Sequence, residues 1–92
     1  MNDLLLTYYG DDFTGSTDVM EALVLGGVPA VLFLEPPAAD FLHAHFPQAR
    51  AVGVAGVSRS MTPAQMASEL PPIFSALGAL GAPIFHYKIC ST

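Results

Sequence analysis

Apolar residues in this chain fall into two alternating rhythms. Residues 4–9 form a short run that is apolar on both faces, as suits a central parallel strand, and Gly10 is expected to break it. From about Thr17, the residues Val19, Ala22, Leu23 and Gly26 recur at helical spacing, and Gly26-Gly27 should end that helix. Residues 29–34 predict a second strand, closed by Glu35-Pro36-Pro37. Residues 38–46 predict a short helix with Ala38, Phe41, Leu42 and His45 on one side, stopping at Pro47. Residues 51–57 predict the third strand. Thr62 followed by Pro63 is a helix start, and Met66, Leu70, Phe74 and Leu77 keep helical phase behind it. Pro71-Pro72 interrupts that run, which predicts a kink or two abutting helices before Gly78 and Gly81. Residues 83–90 predict the fourth strand.

The order βαβαβαβ implies an α/β fold of three layers around a mainly parallel four-stranded sheet with right-handed crossovers. The expected strand order is 2-1-3-4.

Composition adds a second expectation. The chain of 92 residues is 52% hydrophobic and only 12% charged, against about a quarter charged in an ordinary soluble domain. So little polar cover implies that much of the surface is meant to be covered, by more chain or by a partner, including a second copy in a homo-oligomer. The net charge of −5 with three basic residues excludes nucleic-acid binding, which needs clustered cations. No apolar run approaches the roughly 20 residues of a membrane span. The start, Met1-Asn2-Asp3, lacks the basic region of a secretory signal, and Cys90 is a lone cysteine. A cytoplasmic setting is the expectation.

Candidate chemistry concentrates between the first strand and the first helix. Asp11, Asp12 and Asp18 stand there among Tyr9, Thr14, Ser16 and Thr17. In an open α/β sheet, ligands bind outside the carboxyl ends of the strands. Two of the three cations fall at the same edge: Arg59 follows the third strand in Ser58-Arg59-Ser60, and Lys88 lies near the end of the fourth, whereas Arg50 lies at the opposite end of the third. Together they suit a small, polyhydroxylated anion. Arg59 can clamp a carboxylate or phosphate through its planar fork, and the acids can accept from, or deprotonate, a sugar hydroxyl. Plainer roles stand beside these. Asp18 with Glu21 has the spacing of a capping box, Asp12 or Thr14 can stabilise the turn, and Lys88 can neutralise the acidic pair. His43 and His45, two apart on a helix, point to different sides and do not form a metal pair.

Other architectures fit poorly. A phospho-receiver domain needs an aspartate where this chain has Ser58-Arg59. A haloacid-dehalogenase-type phosphatase needs its two aspartates separated by one residue, and Asp11 and Asp12 are adjacent. No glycine-rich Walker loop is present.

The segment from Gly10 to Asp18, GDDFTGSTD, resembles the opening motif of the four-carbon acid sugar kinase family, which includes 3-oxo-tetronate kinases. Gly56-Val57-Ser58-Arg59-Ser60-Met61 resembles its second motif, and His86-Tyr87-Lys88-Ile89-Cys90-Ser91-Thr92 its third. Gly10 stands where the family has alanine, a change expected to be harmless in a turn. The resemblance implies an ATP-dependent kinase that phosphorylates a four-carbon sugar acid. An N-terminal domain would hold the sugar acid, and a separate C-terminal domain would hold ATP and Mg2+. It implies substrate contacts at Asp11, Asp12, Thr14, Asp18, Ser58, Arg59, Lys88, Ser91 and Thr92. Asp12, or else Asp11, would orient or deprotonate the attacking hydroxyl. Thr92 falls inside the third motif, so the chain reads as part of the N-terminal domain, with the nucleotide domain absent and the piece inactive alone. The alternative is a non-catalytic fragment that binds a ligand or partner.

Overall fold

A computed structural model describes residues 4–56 and 61–88, and of Lys88 the backbone alone. The elements are β1 (Leu6–Gly10), α1 (Phe13–Leu25), β2 (Ala30–Phe33), α2 (Ala39–His45), β3 (Ala51–Ala55), α3 (Pro63–Gly78) and β4 (Ile84–Lys88). All strand pairs are parallel, and the sheet order is β2-β3-β1-β4.

The expected α/β architecture is therefore present, but the order 2-1-3-4 is not. Sequential strands are neighbours about two-thirds of the time; that default puts β1 beside β2 and β3 beside β4, whereas β1 and β3 are exchanged. Side-chain volume explains why. Tyr8 of β1 sits opposite Gly53 of β3, and Leu32 of β2 lies at the same level on the far side. A methyl group on Gly53 would overlap the Tyr8 ring. On the side where the Tyr8 ring leans, the neighbouring strand must leave that space open; β3 does so with Gly53, whereas β2 in the same register would fill it with Leu32, and His86 of β4 stands on the other side. All five residues of β3 are small and buried.

Alternation along β1 sorts the helices onto two faces. Tyr8 and Gly10 meet α1: the Tyr8 hydroxyl donates to the Ser16 carbonyl at 3.2 Å, and Gly10 lies against the Ser16 side chain. Tyr9 points to the other face and joins Leu42 of α2 with Leu70 and Leu77 of α3 in the main core, together with Val52 and Val54. The result is three layers, with α1 on one face and α2 and α3 on the other.

Three local expectations change. First, α1 begins at Phe13, four residues before Thr17, with Asp12 as its N-cap: Asp12 Oδ1 accepts from the Gly15 amide at 2.7 Å. Asp18 is thus inside the helix and cannot pair with Glu21 in a capping box. Gly15 and Ser16 are the buried residues of this helix, so its first turn makes the tight approach to the sheet. Second, Gly10 is the last residue of β1 rather than part of a turn, and a side chain there would overlap Ser16. The glycine is a packing requirement.

The third change concerns Pro71-Pro72, which lie inside one helix, Pro63–Gly78. Their missing N–H groups deprive the carbonyls four residues earlier, on Ala67 and Ser68, and both of those residues are exposed to water. The start of α3 is as expected at Thr62, strengthened by Gln65, whose side chain accepts from the Thr62 amide while the Gln65 amide donates to Thr62 Oγ1.

Several large apolar side chains are uncovered, as the composition suggested. Leu25 is 81% exposed and Leu34 72%. On the edge strand β4, Ile84, Phe85 and Tyr87 are all exposed.

Candidate functional site

The winding of the chain reverses between the neighbouring parallel strands β1 and β3. From β1 the chain leaves to α1 on one face and returns at β2; from β3 it leaves to α3 on the other face and returns at β4. Where neighbouring strands send their connections to opposite faces, a crevice opens at their carboxyl ends. The two strand ends are tied there, because the Gly56 amide donates to the Gly10 carbonyl at 2.9 Å. Asp11 and Asp12 follow directly from Gly10. The second sequence motif follows directly from Gly56.

Register adds the fourth strand. Gly10 lies opposite Ala55 on one side and opposite Lys88 on the other. The backbone of Lys88 is therefore level with the start of the acidic pair, as expected from the parallel sheet. Asp11 is buried, and Asp12 is half-buried. Cap bonding fixes Asp12 further: besides the Gly15 bond to its carboxylate, the Ser16 hydroxyl donates to its carbonyl at 2.6 Å. Thr14 is exposed in the first turn of α1, and its carbonyl accepts from Thr17 Oγ1 at 2.9 Å. Asp18 is exposed further along α1, beside a shallow groove with Thr17, Met20 and Glu21. The structure thus gathers Asp11, Asp12 and the Lys88 position at one edge and leaves Asp18 on the flank of the helix. Ser58, Arg59, Ser91 and Thr92 lie outside the described residues.

Tyr8, one residue from Tyr9 on β1, is fully buried. Its burial pushes the phenol up to about 12 from an ordinary value of 10.0, so it remains a neutral hydrogen-bond donor that holds α1 to the sheet. Among the described residues no three His, Cys, Asp or Glu side chains gather as a metal-ligand set. The carboxylates of the acidic pair can accept hydrogen bonds from hydroxyl groups. No helix among the described residues is long and apolar enough to cross a membrane.

Residues 6–92 match the family described as the sugar-binding N-terminal domain. The chain belongs to that family. It is 58% identical over 89 residues to the 3-oxo-isoapionate kinase of Paraburkholderia graminis, covering 97% of this chain and 19% of that protein. It is 34% identical over 82 residues to the 3-oxo-tetronate kinase of Pectobacterium atrosepticum, covering 89% of this chain and 18% of that protein. The chain thus spans about a fifth of the length of the curated relatives it matches. No solved structure matches. The resemblance read from the three motifs holds, and both relatives are kinases named for 3-oxo acids.

Sequence reasoning passed over the opposite side of the same edge. There Tyr9 and Gly56 share a groove with Leu34, Glu35, Met61 and Glu69. One signal was available: Tyr9 precedes the acidic pair and alternates with Tyr8, so the two rings must serve opposite faces.

Proposed function

We propose that this chain is the sugar-acid-binding part of an ATP-dependent kinase that transfers a phosphoryl group to a hydroxyl of a 3-oxo sugar acid. The Gly56–Gly10 hydrogen bond carries the reading, because it joins the starts of two motifs at the point in the sheet where ligands bind. The higher identity to the 3-oxo-isoapionate kinase favours that acid over the four-carbon 3-oxo-tetronate.

In this reading Arg59 and Lys88 hold the carboxylate of the substrate or the transferring phosphate. Asp12 aligns the attacking hydroxyl and takes its proton, and its cap bonding gives the fixed orientation that such positioning needs. Asp11 is the second candidate for that proton. Thr14, Ser58, Ser91 and Thr92 add hydrogen bonds, and Asp18 joins them only at the margin. ATP and Mg2+ are handled by chain outside these residues, in a C-terminal nucleotide-binding domain. Mg2+ bound with ATP supplies charge neutralisation at the transferring phosphate.

The test is steady-state kinetics of the kinase polypeptide that carries this chain, with both acids. Arg59→Ala should lower kcat/KM by roughly ten- to a hundredfold, the loss of a charge-assisted contact of about 1.5–3 kcal/mol. Arg59→Lys should recover only part, because an ammonium lacks the bidentate fork. Arg50→Ala is the control, since Arg50 precedes β3 at the amino edge. Equal losses from Arg50→Ala and Arg59→Ala would remove the substrate from the carboxyl edge.

A further inference from the structure

Tyr9 is fully buried, yet its hydroxyl has no hydrogen-bond partner among the described residues. Leaving a buried hydroxyl unpaired is costly, and such groups are uncommon. The ring is held firmly: it meets Phe74 edge-on at 5.4 Å and Tyr87 at 5.5 Å. The hydroxyl therefore cannot swing away to find water. It lies against Gly56, where any side chain would collide with it. Glycine at this position leaves the space that the hydroxyl occupies.

Tyr9 and Gly56 both line a groove of about 400 Å³ at the carboxyl ends of β2 and β3. Glu35, which follows β2, and Glu69 of α3 supply carboxylates along it, and Met61 and Ile73 supply apolar wall. None of the described lining residues is basic. Two carboxylates repel a carboxylate or phosphate. They accept well from alcohol groups, and a phenol O–H donates to an alcohol oxygen.

We propose that this groove is a second half of the substrate site, a subsite for the uncharged hydroxyl-bearing end of the sugar acid. Tyr9 donates to one hydroxyl oxygen, and Glu69 accepts from a hydroxyl. The proposal rests on the sugar-acid reading above and adds a place to it: a hydroxyl-bearing end of the acid lies between β3 and α3. Tyr9 and Glu69 then determine which hydroxyl pattern is accepted.

The experiment is calorimetric titration of the chain with 3-oxo-tetronate and 3-oxo-isoapionate, paired with thermal melts without ligand. Tyr9→Phe removes only the hydroxyl and keeps the ring contacts. It should melt at the same temperature or higher, because an unpaired buried group is gone, and should bind roughly three- to tenfold more weakly, the loss of one hydrogen bond. Glu69→Gln, at an exposed helix position, should leave the melt unchanged and weaken binding to a similar degree. Unchanged affinity in Tyr9→Phe overturns the subsite while the sugar-acid reading stands. If Tyr9→Phe also loses stability, Glu69→Gln decides: retained affinity there overturns the subsite, and reduced affinity supports it. Absence of binding to the unsubstituted chain by either acid overturns the sugar-acid reading, and the subsite with it.

Discussion

Replacing Asp12 separates the two roles that the site assigns to it. Its carboxylate caps α1 through the 2.7 Å bond from the Gly15 amide, and its charge stands at the carboxyl end of β1. Asp12→Ala removes both. Loss of a capping side chain costs about 1 kcal/mol, within a range of about 0.5–2. Loss of a negative charge at a helix N-terminus adds about 0.3–1 kcal/mol. For a chain of this size about 1 kcal/mol corresponds to roughly 4–8 °C in Tm, so Asp12→Ala should melt about 5–15 °C lower. Asp12→Asn keeps a capping oxygen and loses only the charge, which predicts a drop of about 2–6 °C from the same conversion. Thermal melts followed by far-UV circular dichroism measure both. In the kinase carrying this chain, Asp12→Asn should lower kcat more than it raises KM, because the fold survives and the proton acceptor does not. If the alanine and asparagine variants melt together, the cap is not what holds the start of α1, and the placement of Asp12 at the helix boundary is wrong.

Other expectations follow from the packing and the exposed surface. Gly53→Ala should destabilise the chain by about 1–3 kcal/mol through overpacking against the Tyr8 ring, read as a lower midpoint in urea. Alkaline pH should also weaken the fold: unfolded Tyr8 ionises near 10.0 but the buried phenol not until about 12, so the unfolded state loses its proton first. Stability should therefore be unaffected by Tyr8 below that window and fall by about 1.4 kcal/mol per pH unit within it, as checked by urea titrations at stepped pH; a flat or rising profile would contradict the burial of Tyr8. The exposed Ile84, Phe85 and Tyr87 on the open edge of β4 predict self-association at micromolar concentration, and light scattering that shows a single monomeric species would count against it.

The elements themselves were plain in the sequence, because strand and helix periods alternate cleanly and glycine and proline punctuate them. Thr62-Pro63 marked the start of α3 without help from tertiary structure. The start of α1 was hidden by its own chemistry. Thr14, Ser16 and Thr17 read as loop residues, yet Ser16 and Thr17 return their hydroxyls to carbonyls of the preceding turn and sit comfortably in a helix. The carboxylate pair Asp18 and Glu21 then imitated a cap one turn too late.

Strand order was not legible, because it depends on a cross-strand match between Tyr8 and Gly53 that no local pattern reveals. The acidic half of the candidate site could be placed from the parallel sheet alone. Its Tyr9 side could not, since knowing which helix covers which face requires the strand order first.

The most direct test of the carboxyl-edge site is an amide chemical-shift map of the chain titrated with 3-oxo-isoapionate. The sugar-acid account predicts that the largest changes fall on Gly10, Asp11, Asp12 and Gly15 at the end of β1 and on Gly56 and Met61 beside β3, while Leu5, Arg50 and Ile84 at the amino edge stay still. Changes centred on the amino edge, or none at saturating ligand, would contradict it.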